Sequence, residues 1–170
     1  PQFRQACELA LNGRIGKVHT IKVSAPVGTA ERTSDVTYAA APVPAGFDYE
    51  MWLGPAPFRE YHDGLHTFSW RSWRQFGTGT IGDMACHNLD VLFWALKIGE
   101  AKKFTVECLN TNGGSDEMWP QDNIVRYEVP SRGAMPPVKI HVYDHGSLRP
   151  PVMKEAEKTY EVKFGECTLF

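Results

Sequence analysis

The chain has 170 residues, 42% apolar and 22% charged, with 18 Lys and Arg against 20 Asp and Glu for a net charge of −2. This is the composition of a soluble globular chain long enough to bury a core; it supplies no basic stretch for nucleic acid and no apolar run near the roughly 20 residues of a membrane span. The four cysteines, Cys7, Cys86, Cys108 and Cys167, form no C-x-x-C pair, which excludes a zinc knuckle or dithiol site and predicts buried thiols.

Residues 1–12 carry Phe3, Ala6, Cys7, Ala10 and Leu11 at a helical period, and Gly13 stops the helix. Residues 16–23 alternate as a strand, with Ile21 and Val23 inward and His19 on the same parity as a structural histidine. Residues 25–47 are a long Ala-, Pro-, Thr- and Gly-rich loop, of a length that often binds a partner or ligand. Residues 48–59 combine aromatics with Pro55 and Pro57, which forbid a regular helix and leave Trp52 as an anchor. Residues 61–76 interleave Trp70, Arg71, Trp73 and Arg74. Such a run can stack on a planar ligand, but the near-neutral charge favours packing on its own domain.

Residues 77–99, GTGTIGDMACHNLDVLFWALKIG, read as a glycine turn, a helix of about four turns and a glycine stop. Asp83, His87 and Asp90 stand at spacings of four and three, which place them on one helical face. Met84, Ala85, Leu89, Leu92, Phe93 and Leu96 supply an apolar remainder to pack on a sheet. An imidazole titrating near neutrality can take or return a hydroxyl proton, and a carboxylate one turn away can orient it or hold a neighbouring hydroxyl. Asp83 is expected in the first turn, where the helix dipole favours a negative charge. A capping Asp beside a structural His is the alternative reading.

Beyond this helix, residues 104–109, 123–129, 138–143 and 159–164 alternate as four strands, separated by Gly-, Asn- and Pro-rich turns. Clean alternation means one packed and one wet face, and no strand–helix–strand unit repeats. The predicted class is α+β: an open, mainly antiparallel sheet with helices on one face. Residues 77–82 match G-x-G-x-x-G literally. A dinucleotide fingerprint needs an apolar strand before it and an acidic residue about 20 residues on. Trp and Arg precede this one, and Ala101, Lys102 and Lys103 stand near the acidic position. The run therefore reads as a turn whose free backbone approaches a ligand and starts the helix. Neither His62-x-x-x-His66 nor His141-x-x-x-His145 forms a convincing metal pair. The chain opens on a helix already under way and closes on a strand just starting, as expected of a segment of a longer protein.

A dispersed, ordered set of residues resembles a known family. It comprises Leu11-Asn12-Gly13-Arg14-Ile15-Gly16-Lys17-Val18, Trp52-Leu53-Gly54-Pro55-Ala56-Pro57, Trp70-Arg71, and Gly77-Thr78-Gly79 leading to Asp83-Met84-Ala85-Cys86-His87-Asn88-Leu89-Asp90. Tyr143-Asp144-His145-Gly146 before Pro150-Pro151, and Gly165-Glu166-Cys167-Thr168-Leu169-Phe170, complete it. The set is similar to the C-terminal domain of the glucose–fructose oxidoreductase / inositol dehydrogenase / MocA (Gfo/Idh/MocA) family. His145 departs from it, since the family has glycine there.

The resemblance implies a glyceraldehyde-3-phosphate-dehydrogenase-like C-terminal domain of a two-domain NAD- or NADP-dependent oxidoreductase. Residues 1–170 would be the substrate-binding and oligomerisation domain. An N-terminal Rossmann domain and an E-K-P lysine, neither found in this sequence, would complete the parent. By the same resemblance His87 is the general acid/base and Asp83 its substrate-binding partner. Trp52, Trp70, Arg71, Asp90 and Asp144 are candidates for the pocket wall. A sugar or polyol substrate and a homo-oligomer built through the sheet face are expected, with no nucleic acid, membrane or metal. The chain alone is expected to hold no cofactor and to be inactive, in a soluble cytoplasmic or periplasmic parent. An NAD-using glycoside hydrolase of the same family and a non-catalytic assembly module are the alternatives.

Overall fold

Alternating apolar and polar residues build the sheet, seen in a computed structural model that describes residues 2–25, 37–144, 148–165 and 167–169. The strands are β1 (Thr20–Ala25), β2 (Thr105–Asn112), β3 (Asp122–Val129), β4 (Val138–Asp144) and β5 (Cys167–Leu169), in spatial order β2-β3-β4-β1-β5. β1 and β4 run parallel; the other pairings are antiparallel. The architecture is α+β, as the alternation implied.

Cross-strand partners share a face, so the register sorts the side chains. Ile21, Ile140, Tyr127 and Val106 form one inner row, and Val23, Val142, Val125 and Cys108 the next. Helix α3 (Gly79–Ala95) lies against β1 and β4, and α1 (Gln2–Leu11) packs on α3. Ala85, Val91, Leu92, Ala95 and Leu96 of this helical layer form one core with Ile21, Val23, Ile140, Val142 and Cys7. Each buried aliphatic side chain there contributes about 1.5–3 kcal/mol. The helices stop short of β2, where Val106 is 56% exposed. The outer face is charged: Lys22, His141, Arg126 and Glu107 form one row, and Thr20, Lys139, Glu128 and Thr105 another.

A second core gathers Tyr49, Leu53, Tyr61, Leu65, Trp73 and Met118. Part of it is the short helix α2 (Tyr49–Leu53), which Asp48 caps by accepting from the Met51 amide at 3.0 Å and which ends at Gly54, just before Pro55.

Several expectations need correction. α3 begins at Gly79, inside the glycine run, so Asp83 sits beyond the first turn and the dipole argument does not apply to it. The helix ends without its expected glycine: Lys97 takes the left-handed conformation at φ 53°, and Gly99 lies in the 3-10 turn Ile98–Glu100. Residues 159–164 are not a strand. Helix α4 (Pro151–Tyr160) runs into them because Pro151 presets the first helical φ, and Arg149 then joins Glu157 to the Phe164 carbonyl. Tyr160 and Val162, read as strand residues, are exposed. His19, Cys86 and Cys108 are also exposed, and Phe93 is half-exposed on the outward side of α3. Residues 26–36 and His145 lie outside the described residues. No helix among the described residues is long and apolar enough to cross a membrane.

Candidate active site

On α3, Ala85, Leu92 and Ala95 lie in the core, while His87 and Asp90 are exposed on the outward side together with Cys86, Phe93 and Trp94. Asp83 lies on that same side, its side chain 31% exposed beside Arg71. The spacing of four and three thus turns the Asp/His/Asp series away from the sheet, as the helical period requires.

Arg71 stands beside Asp83. It lies in the 3-10 turn Ser69–Ser72, and its Nε is 3.2 Å from Asp83 Oδ2, near enough for an ion pair although the N–H is not aimed for a hydrogen bond. The guanidinium carbon lies 4.4 Å from the Phe68 ring centroid and 4.5 Å from that of Trp70, and Nη1 donates to the Phe68 carbonyl at 3.1 Å. Asp90 looks elsewhere. Burial, and then the charge of Asp90, push the Cys7 thiol pKa up; the Cys7 backbone partly opposes this and Glu8 adds a smaller rise.

The glycine run is packed against this domain's own atoms. A Cβ on Gly77 would sit 2.4 Å from the Arg71 carbonyl oxygen, one on Gly79 3.0 Å from Trp119, and one on Gly82 2.1 Å from Thr78 Oγ1. Gly79 has φ +65°, which a side chain disfavours. The run therefore makes no cradle for a pyrophosphate, and these residues do not fit a dinucleotide site. What approaches the glycine backbone is Trp119, whose indole N–H donates to the Gly77 carbonyl at 2.8 Å.

A family model described as the C-terminal alpha/beta domain of an oxidoreductase family, Gfo/Idh/MocA, matches residues 6–125. The chain belongs to the Gfo/Idh/MocA family. The match takes in residues 6–11 of α1, the Trp/Arg turn, the glycine run and all of α3. No curated protein matches the chain.

In this Gfo/Idh/MocA domain the remaining candidates separate. Trp70 stays with Asp83 through Arg71. Asp144, 2% exposed at the end of β4, accepts from the Asn123 amide at 3.0 Å and lines a cleft of about 330 Å³ between the start of α3 and β2–β4. Thr80, Thr111, Trp119 and Asn123 line the same cleft. Trp52 lies in the second core, its ring 5.7 Å from Tyr49 and 5.1 Å from Phe76. It packs behind the chain that leads to Gly77 rather than beside Asp83. Among the described residues no three His, Cys, Asp or Glu side chains gather to hold a metal ion.

No sequence pattern points to Trp119. It anchors the glycine turn, carries the Arg74 guanidinium 4.3 Å above its ring, and bonds through its own amide to the Ser72 carbonyl at 2.9 Å. It stands 42 residues from Gly77, and no spacing rule links the two. Asn123 and Thr111 were read only as strand and turn residues; the register of β2 and β3 brings them to the cleft.

Proposed function

We propose that this chain is the substrate-binding and oligomerisation domain of an NAD(P)-dependent oxidoreductase acting on a hydroxyl of a sugar or polyol. One observation carries the reading: Asp83 and His87 lie one turn apart on the outward flank of α3, in the α/β domain of an oxidoreductase family. His87 is reachable from solvent, so its imidazole can take the proton of a hydroxyl as that carbon is oxidised, and return it in the reverse direction. Asp83 accepts a hydrogen bond from a neighbouring hydroxyl and orients the ring. The cleft beside the start of α3 offers further hydroxyl partners in Asp144, Asn123, Thr80 and Thr111. Trp70, against which the Arg71 guanidinium lies, is a further candidate for the pocket wall. NAD or NADP, held by a dinucleotide domain outside these residues, supplies the hydride acceptor.

The test uses the full-length protein that carries this segment, with myo-inositol and D-glucose as probes, NAD+ or NADP+ as oxidant, and reduced nicotinamide absorbance as the readout. His87→Ala is expected to lower kcat/KM by about 10²–10⁴-fold. Full activity in that variant would remove the reading. Release of free sugar from an aryl glycoside without net reduced cofactor would instead favour the NAD-using glycosidase.

A further inference from the structure

We infer that Arg71 is a positioning residue: it holds Asp83, and through Asp83 sets the geometry in which His87 meets a hydroxyl, without itself binding the substrate. The inference deepens the function proposed above and rests on it for turnover only.

Arg71 is already committed on three sides. Its guanidinium lies against two rings, Phe68 and Trp70, donates to the Phe68 carbonyl, and has its Nε 3.2 Å from Asp83 Oδ2, within ion-pair range. A planar guanidinium fixed in this way loses little freedom in holding a carboxylate, unlike a lysine on a flexible stem.

The backbone beneath it is fixed as well. Gly77 packs on the Arg71 Cα and carbonyl so closely that a Cβ would fall 2.5 and 2.4 Å from them. The Gly77 amide donates to the Trp73 carbonyl at 2.8 Å, and its carbonyl accepts the Trp119 indole N–H. The glycine turn, read from sequence as a place for a ligand, is thus a seat for Arg71.

The pair is partly exposed, 25% and 31% for the two side chains, so solvent screens it and it contributes little to stability. Its consequence lies in where it points the carboxylate. Asp83 stands one turn from His87, a spacing at which a carboxylate and an imidazolium attract each other. Held by Arg71, Asp83 remains an acceptor for substrate, and His87 is left to take the hydroxyl proton.

The experiment compares Arg71→Ala, Arg71→Lys, Asp83→Asn and the Arg71→Ala/Asp83→Asn double variant in the full-length protein, assayed with myo-inositol and NAD+. Arg71→Ala is expected to lower kcat about tenfold with KM changed less than about threefold, and to change kcat less than about twofold in the Asp83→Asn background. Arg71→Lys should keep part of the lost rate, and added guanidinium ion should restore part of it to Arg71→Ala. A rise in KM at constant kcat, equal in both backgrounds, would make Arg71 a substrate contact and overturn the inference. The second readout needs no turnover. The Asp83 carboxyl carbon resonance, assigned with Asp83→Asn, should move in Arg71→Ala, and an unmoved resonance overturns the inference. Absence of turnover in the unaltered protein, with that resonance still responding to Arg71, would count against the oxidoreductase reading alone.

Discussion

Arg132 is buried, and main-chain carbonyls satisfy its guanidinium. Nε donates to Leu96 at 2.7 Å, and Nη1 to Pro130 at 2.8 Å and Pro136 at 3.0 Å. Burial pulls its pKa below the ordinary arginine value, and Glu100 partly offsets this. One side chain thus closes the C-terminal end of α3 and the β3–β4 connection together. Arg132→Met keeps most of the volume but strands buried carbonyls, and is expected to lose about 2–4 kcal/mol in urea denaturation. A loss of under about 0.5 kcal/mol, the range of ordinary surface substitutions, would show that the cap is dispensable. At this scale identity was legible and partnership was not. His87 and Asp83 could be singled out because a helical period makes them neighbours in sequence. Arg71 could be noted but not assigned to Asp83, because a 3-10 turn and a glycine contact decide where its side chain goes.

At the scale of elements, β4 carries a histidine in an adverse place. Burial first, then Lys22, Arg126 and Lys139, hold the His141 pKa below the ordinary 6.5, partly opposed by the Ile21 backbone. Lys22 and Arg126 are its cross-strand partners on β1 and β3, and Lys139 lies two residues back on the same face. The unfolded chain therefore binds this proton first. Its contribution is full above pH 6.5 and is lost as pH falls from there toward the folded value. His141→Gln is expected to flatten the stability–pH curve in that window, read from urea midpoints over a pH series; an unchanged slope would show that His141 does not set it. Glu157 adds a separate loss in stronger acid, because the Phe164 amide and then Arg149 hold its pKa below the ordinary 4.5. Strand alternation was reliable where both neighbours of a strand were present, as for β3 and β4. It misled at residues 159–164, where Pro151 started a helix before the alternation could be used.

For the whole molecule, the decisive feature is a sheet covered on one side. The outer face carries both signs of charge in ordered rows. Arg126 pairs with Glu107 and lies 3.2 Å from Glu128, which Lys139 meets at 3.4 Å. A face that carries both signs can meet its own copy across a two-fold axis. The proposed homo-oligomer uses this face. Arg126→Glu, which sets three acidic side chains together, is expected to shift the mass seen by light scattering toward the monomer; a monomeric unaltered protein would leave the face without that role.

Local periodicity determined much of this protein from sequence alone. It marked α1, the alternation of β1 to β4, the outward Asp83–His87–Asp90 series and the α+β class, because helices and strands repeat every few residues. Only the tertiary structure decided what lies beside that series. The Arg71–Asp83 pair, the Trp119 bond to Gly77 and the Asp144 cleft join residues separated by 12 to more than 60 positions. Their meeting depends on strand register, on glycines with no room for a side chain, and on which face of each element is buried. These are properties of the packed chain, and no short-range pattern encodes them.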